Sequence, residues 1–246
     1  LEFRRVLFRS EYIESLWWIL KQLYEKKLLY KGYTIQPYSP AAGTGLSSHE
    51  LNLPGCYKDV KDTSIVAQFK VQRDAKSEFL FKQQNGDVFI LAWTTTPWTL
   101  PSNTALAVGE KIKYVQVNTF NSYTFKPISV VLAKDLLGKY FSEKNKDLKV
   151  EDYKAGDKNI PYQLVQEFTG KDLVGMRYEQ LMPYLQPFYD AEKAFQVVAG
   201  DFVTTEDGTG VVHTSPTFGA DDFRVAKQNG IPALTIKDEQ DNEVPT

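Results

Sequence analysis

The stretch VFILAWTTTPWTLPSN, residues 88–103, joins an apolar run to three threonines that end at a proline. The run 88–93 predicts a buried strand, and the branched threonine side chain is well tolerated at the end of a strand. Pro97 restricts Thr96 to extended geometry and cannot continue a ladder of hydrogen bonds. We therefore expect a rigid strand end whose hydroxyls alternate between two sides and could hold a polar ligand or a water. An ordinary strand ending in a turn would show the same pattern.

The composition describes a chain that can bury a sizeable core. It has 246 residues, 42% of them hydrophobic, and its formal net charge of −2 gives no overall basic signal for nucleic acid. A local basic patch would still suffice for an RNA partner. The single cysteine, Cys56, excludes an internal disulfide and a multi-cysteine zinc site, and the two histidines, His49 and His213, cannot build a histidine-rich metal site. We expect no cofactor, no metal and no membrane span.

Strand patterns dominate the chain after residue 63. Alternating or continuously apolar runs predict strands at 64–71, 78–81, 87–93, 114–117, 128–133, 162–165, 195–199, 210–213 and 231–236. The turn signal Gln84-Asn85-Gly86 predicts a hairpin between the second and third of these runs. Amphipathic spacing predicts helices at 11–29, 135–141 and 220–229, with Gly32 and Gly230 as stops for the first and the last. Many short strands with few helices favour a mainly β fold with peripheral helices and a barrel-like sheet.

The chain divides into three parts on composition. Residues 1–10 fit poorly with the rest of the chain, and we interpret them as a cloning or assembly scar. Residues 11–56 combine the first helix with a connector rich in serine, glycine, alanine and proline. Residues 57–246 contain the strands and are expected to form the main domain, with the charged segment 142–157 as a surface excursion.

A second stretch, DGTGVVHTSPTFGADD at residues 207–222, has a layout similar to the first. A glycine-flanked strand ends at a polar cluster, and a turn then leads to a helix. Asp221 and Asp222 lie near the start of that helix, where carboxylates are electrostatically favoured. Taken alone, the stretch is explained by helix capping for both acids and by a strand end for His213.

Together the two stretches resemble the editing domain of isoleucyl-tRNA synthetases. In that family a threonine-rich strand and a GTG-x-VHT-x-P-x-FG-x-DD segment border the editing pocket, and the likeness here spans residues 11–246. It implies a β-barrel-like editing domain of the type shared by the valyl, isoleucyl and leucyl enzymes. One wall of the pocket would hold Thr94, Thr95, Thr96 and Asn103, and the other His213 and Asp222. Asp222 would bind the α-ammonium group of the substrate through a charge-assisted hydrogen bond.

The resemblance also implies a reaction. A pocket for isoleucine cannot strongly reject valine, which is smaller by one methylene, so a second pocket that admits valine and excludes isoleucine corrects the error. The expected reaction is hydrolysis of the ester between valine and the terminal adenosine of tRNA(Ile), with valyl-adenylate as a second candidate substrate. Because no Ser-His-Asp constellation is apparent, we favour direct attack by a positioned water. His213 is either a general base or a residue that shapes the pocket while the ribose hydroxyl assists the water.

The sequence carries neither a HIGH-type nor a KMSKS-type ATP signature, so we expect an insertion domain without the synthetic site. Its expected partners are tRNA(Ile) and the remainder of the parent synthetase, and its expected location is the cytoplasm. Three alternatives stay open. A valyl- or leucyl-type editing domain is disfavoured because those branches place an arginine after two threonines, where this chain has Thr96. The others are a non-catalytic barrel that binds RNA 3′ ends, and a serine or metal esterase, which the absence of G-x-S-x-G and metal spacings disfavours.

Overall fold

The fold was analysed in a computed structural model that describes residues 9–30 and 35–245. The chain separates into two units, residues 1–34 and residues 35–246. The first contains helix α1 (Ser10–Glu25), whose large apolar side chains are exposed. The helix ends four residues before the predicted boundary because Lys27 adopts a left-handed φ of 57°, and the Leu28 N–H returns to the Leu23 carbonyl at 3.0 Å. This is a Schellman termination. Gly32, the expected stop, lies outside the described residues.

The second unit is mainly β with peripheral helices, as the sequence predicted. A short hairpin of β1 (Tyr38–Ser39) and β2 (Thr44–Gly45) and the single turn α2 (Ser48–Leu51) precede the main sheet. The sheet strands are β3 (Ile65–Lys70), β4 (Asp87–Thr94), β5 (Ala105–Val108), β6 (Lys113–Phe120), β7 (Pro127–Ala133), β8 (Gln163–Thr169), β9 (Gln196–Ala199) and β10 (Val211–Thr214). The remaining elements are α3 (Leu137–Tyr140), α4 (Gly170–Leu173), α5 (Ala220–Asn229), β11 (Thr235–Lys237) and β12 (Glu243–Pro245).

The sheet has the order β8-β6-β7-β4-β10-β5-β9, and β3 pairs with the other edge of β4. The segment 175–179 hydrogen-bonds both to β9, at one edge of this sheet, and to β3. The Gly175 N–H donates to the Val197 carbonyl of β9 at 2.7 Å, and the Glu179 N–H donates to the Lys70 carbonyl of β3 at 2.7 Å. This segment therefore closes β3, β4, β10, β5 and β9 into a barrel, which confirms the expected barrel-like sheet.

Strand directions place five strand ends together. β10 is parallel to β4, β5 is antiparallel to β10, β9 is parallel to β5, and β3 is antiparallel to β4. The carboxyl ends of β4 and β10 therefore lie at the same end of the barrel as the amino ends of β3, β5 and β9. We call this the threonine end, because β4 ends at Thr94 and β10 ends at Thr214. The barrel interior is filled by buried side chains that include Phe69, Ile90, Leu106, Val197 and Tyr178.

The predicted strand at 78–81 and its hairpin with the following strand are wrong. Glu78–Phe81 forms a 3₁₀ turn, and β4 instead pairs with β3, β7 and β10. The cause is a row of amide side chains on β6 and β8 that binds the carbonyl oxygens of this segment. Gln116 Nε2 donates to the Leu80 carbonyl at 2.7 Å, and Gln166 Nε2 donates to the Phe79 carbonyl at 3.1 Å. These amides, buried for Gln116 and half-buried for Gln166, satisfy groups that a strand partner would otherwise satisfy. The final predicted strand, 231–236, is shorter and displaced, because β11 pairs with β12 only over Thr235–Lys237.

Gly210, just before β10, offers a test of this packing. It has a φ of +72°, and an added Cβ would lie 2.3 Å from Ala133 Cβ. We expect Gly210→Ala to lower the free energy of unfolding by about 2–4 kcal/mol, because a left-handed conformation and a steric clash are both imposed. Urea denaturation measures this change. Gly138→Ala in α3 is the matched control, since its Cβ would meet nothing within 4 Å. Equal stabilities of the two variants would contradict the packing.

Candidate functional site

The threonine row forms a local hydrogen-bonded cluster where β4 ends. Thr94 is buried, and its Oγ1 accepts a hydrogen bond from the Thr96 N–H at 3.0 Å while lying 3.3 Å from Thr96 Oγ1. Thr96 has a φ of −123° and a ψ of 66°, so it departs from the extended geometry expected before proline, and the 3₁₀ turn Pro97–Ser102 follows. Thr95, between Thr94 and Thr96, is exposed, and its hydroxyl makes no hydrogen bond to the described residues.

Thr99, which sequence analysis did not single out, connects this row to the second motif. Its Oγ1 lies 3.2 Å from Thr96 Oγ1 and 3.1 Å from His213 Nε2, and it donates to the Thr96 carbonyl at 2.8 Å. Thr94, Thr96, Thr99 and His213 thus form one chain of polar side chains, which we call the hydroxyl–imidazole chain. The sequence signal for Thr99 was its spacing from Thr96. A 3₁₀ turn after the proline places the third residue beyond Thr96 on the same side of the chain as Thr96.

His213 is a buried, neutral residue on β10. Burial lowers the pKa of its imidazole from 6.5 to about 4. Because the Thr99 hydroxyl gives its proton to the Thr96 carbonyl, we assign the Nε2–H tautomer, in which His213 donates to Thr99 Oγ1. The buried Nδ1 then carries a lone pair without a hydrogen-bond partner among the described residues. Such a ring shapes and orients a site well but is a weak base at neutral pH.

Asn103 is buried at the end of the turn, and its amide is held from both sides. Its Oδ1 accepts from the Tyr178 hydroxyl at 2.7 Å, and its Nδ2 donates to the Ala105 carbonyl at 2.8 Å. Asn103 therefore links the turn that carries Thr99 to the segment that closes the barrel.

Asp222 is the third residue of α5, and it folds back toward the preceding loop. Its Oδ2 accepts from the Ser215 N–H at 3.0 Å, two residues beyond His213. Burial, with a smaller contribution from the neighbouring Asp221 charge, raises the pKa of the Asp222 carboxyl from 3.8 to about 6. No lysine or arginine in the described ranges forms an ion pair with Asp222, whereas Asp221 pairs with Arg224 at 3.1 Å. A half-buried carboxylate without a cation is suited to binding a cationic group of a ligand.

The structure brings both motifs to the threonine end of the barrel. The Thr104 N–H donates to the Thr214 carbonyl at 3.0 Å, and Ser215 Oγ donates to the Ser102 carbonyl at 3.3 Å.

Over residues 9–30 and 35–245, no group of three or more histidine, cysteine, aspartate or glutamate side chains could hold a metal ion. Within the same ranges, none of the helices has the length and apolar character needed to cross a membrane.

Sequence comparisons identify one family. The family model described as tRNA synthetases class I (I, L, M and V) matches residues 3–204. An isoleucine–tRNA ligase from Cytophaga hutchinsonii is 65% identical over 240 residues, which cover 98% of this chain and 21% of that protein. An isoleucine–tRNA ligase from Bacteroides fragilis is 63% identical over 231 residues, covering 94% and 20%. The chain thus spans about a fifth of the length of these relatives.

Structural comparisons give more distant similarities. The crystal structure of GlLeuRS-CP1 has a TM-score of 0.48 at 16% identity, covering 68% of this chain and 65% of that one. The crystal structure of the P. knowlesi cytosolic leucyl-tRNA synthetase editing domain has a TM-score of 0.46 at 12% identity, covering 67% and 62%.

The raised pKa of Asp222 predicts a pH dependence of stability. The folded state binds this proton more tightly than the unfolded chain does, so the resulting stabilisation is complete below about pH 4 and is lost as pH rises through about 6. We expect the unfolding free energy of the wild type, minus that of Asp222→Asn, to fall by about 1 kcal/mol between pH 5 and pH 7. Urea denaturation at both pH values measures this difference.

The asparagine variant is the appropriate reference because its side-chain oxygen still accepts from the Ser215 N–H. The lowered pKa of His213 acts in the opposite direction, losing stability as pH falls, but it is present in both proteins and cancels. A difference that stays constant with pH would show that Asp222 titrates normally.

Proposed function

Because this chain belongs to the class I tRNA synthetases (I, L, M and V), we propose that it is an editing domain that hydrolyses valyl-tRNA(Ile). The observation that carries the proposal is the hydroxyl–imidazole chain together with Asp222, a half-buried carboxylate that accepts from the Ser215 N–H and has no ion-pair partner in the described ranges. The named isoleucine–tRNA ligases favour the isoleucyl branch over the valyl and leucyl alternatives. The activity would operate in the cytoplasm as part of a longer synthetase, with tRNA(Ile) as its RNA partner.

Asp222 would bind the α-ammonium group of the esterified valine. Its pKa of about 6 leaves the carboxylate mostly ionised at neutral pH, and burial strengthens its attraction for a cation. The ion pair would replace the solvation that the carboxylate lost on folding. Selectivity for a free amino group follows, because an acylated amine carries no charge to pair.

The hydrolytic step would use a water held by the threonine hydroxyls. The water oxygen attacks the ester carbonyl carbon, one water proton passes to the departing ribose oxygen, and free valine and deacylated tRNA result. Thr94, Thr95 and Thr96 would orient the ester and the water, and Asn103 would position their turn. His213, with a pKa of about 4, is better suited to orientation than to proton abstraction. The adjacent ribose hydroxyl would assist the water. Valyl-adenylate offers a similar carbonyl and is a second proposed substrate.

Discrimination against isoleucine would be steric. Thr99 and His213 are buried, and each is fixed by hydrogen bonds to the rest of the chain. A wall of this kind cannot yield to an additional methylene without moving the turn or the strand, and overpacking of that sort is costly. A pocket that accepts valine would therefore reject isoleucine.

Replacing the proposed ammonium-binding carboxylate tests the substrate pose. We expect Asp222→Ala to reduce kcat/KM for valyl-tRNA(Ile) deacylation by about 30-fold or more, because a buried charge pair is lost. Asp221→Ala is the matched control, since the adjacent acid is exposed and pairs with Arg224. Release of labelled valine measures the rate, and circular dichroism confirms folding. Near-normal hydrolysis by a folded Asp222→Ala protein would contradict the pose.

A comparison of valyl-tRNA(Ile) with isoleucyl-tRNA(Ile) tests the proposed function itself. The wild type should hydrolyse the valyl ester at least about 10-fold faster, the discrimination that one methylene can give. Thr96→Arg should reduce this preference, because a long cationic side chain would replace a hydroxyl bonded to Thr94 and Thr99. Thr124→Arg, on the exposed β6–β7 turn, controls for the added charge. Equal rates for the two esters in the wild type would refute size exclusion.

A further inference from the structure

An exposed aromatic segment lies between the barrel-closing segment and β9. Residues 181–190, here called the aromatic loop, have the sequence LMPYLQPFYD. The side chains of Tyr184 and Tyr189 are 76% and 70% exposed, and those of Leu185 and Phe188 are also exposed. Such a concentration of exposed rings is characteristic of an interaction surface. The site described above does not use any of these side chains.

The aromatic loop leads the chain back to the threonine end of the barrel, where β9 begins. The closing segment runs antiparallel to both β3 and β9, as the pairs Val71–Tyr178 and Arg177–Gln196 show. Its carboxyl end lies beside the start of β9 and the end of β3, where the Glu179 N–H donates to the Lys70 carbonyl at 2.7 Å. The chain that follows the aromatic loop enters β9 at the threonine end, where the Phe195 N–H donates to the Thr104 carbonyl at 2.7 Å, one residue beyond Asn103 and its turn.

The aromatic loop is preorganised by its own contacts. Leu181 and Met182 pack against the barrel core, and Gln180 Nε2 donates to the Leu185 carbonyl at 2.9 Å. Lys237 of β11 places its Nζ 5.9 Å from the centre of the Phe188 ring. The rings are thus presented on a fixed backbone, which reduces the entropy lost when a ligand binds them.

We propose that the aromatic loop is a stacking platform for the unpaired nucleotides that precede the terminal adenosine of the tRNA. This inference rests on the proposed function, because it assumes an ester substrate delivered on a single RNA strand. Every base has a face that can stack on tyrosine or phenylalanine, so the platform needs no sequence readout.

Charge on and around the loop is compatible with an RNA strand. Of the three acids at positions 179, 190 and 192, two are paired with lysines: Glu179 with Lys70 at 3.6 Å and Asp190 with Lys193 at 3.2 Å. Lys237 adds a cation beside the Phe188 ring. Stacking, and not attraction between the phosphates and a basic patch, would therefore supply most of the affinity.

Binding of an unacylated RNA oligonucleotide tests the platform without requiring catalysis. The probe is a fluorescently labelled five-nucleotide RNA ending in CCA, titrated with the full chain and followed by anisotropy. We expect Tyr184→Ala and Tyr189→Ala each to raise Kd about 10-fold, because one stacked base is lost, whereas Tyr184→Phe keeps the wild-type Kd. Tyr123→Ala is the matched control, because this tyrosine is 89% exposed but lies in the β6–β7 turn and not in the aromatic loop. That turn leads into β7, where Ile128 pairs with the first residue of β4.

A second measurement separates this proposal from the proposed function. The alanine variants should hydrolyse valyl-adenosine, which lacks the preceding nucleotides, at the wild-type rate. The platform would be refuted if the wild-type protein did not bind the oligonucleotide, or if the loop variants bound it as tightly as Tyr123→Ala does. The exposed rings would then be assigned to contact with another protein surface. Loop-dependent RNA binding without hydrolysis of valyl-adenosine would support the platform and refute the proposed hydrolysis.

Discussion

The hydrogen bond from the Tyr178 hydroxyl to Asn103 Oδ1 is the interaction on which the site and the barrel jointly depend. Tyr178 is fully buried, and its ring packs edge-on against Phe69 at a centroid distance of 5.2 Å. Burial raises the pKa of its phenol well above the ordinary value, so the hydroxyl stays a neutral donor. Loss of that donor would leave the side-chain oxygen of Asn103, Oδ1, buried and without this hydrogen bond. The same bond thus ties the barrel-closing segment to the turn that carries Thr99.

The site contains two ionisable side chains, His213 and Asp222, whose charged forms have opposite signs and are both disfavoured by burial. His213 is held neutral, and its positive form is disfavoured by burial, whereas the negative form of Asp222 is disfavoured by burial. Neither group is fully satisfied by the fold, since His213 Nδ1 has no partner in the described part of the chain and Asp222 has no cation there. A cationic ligand would satisfy the carboxylate. Such unmet requirements are typical of functional sites.

Sequence patterns predicted the parts of the structure that depend on neighbouring residues. The helix 220–229 was predicted with its observed boundaries, because Gly230 supplies the left-handed stop, and the strand before the threonines was predicted to within one residue. The patterns could not predict the 3₁₀ turn at 78–81, since its carbonyls are satisfied by amides on β6 and β8. Thr99 was missed for the same reason: its importance comes from His213, 114 residues away. The assigned roles of the site residues remain predictions.

The distance in sequence between Thr99 and His213 also determines when the site can exist. During synthesis the threonine row emerges from the ribosome long before β10, because 114 residues separate the two partners. Contacts of such long range form late, since a large loop must be closed first. The ribosome synthesises His213, Asp222 and β10 together, in the last part of the barrel sequence. β10 is the strand that completes the pairing of β5. Any activity of this site would therefore be absent from a nascent chain until nearly the whole barrel had been made.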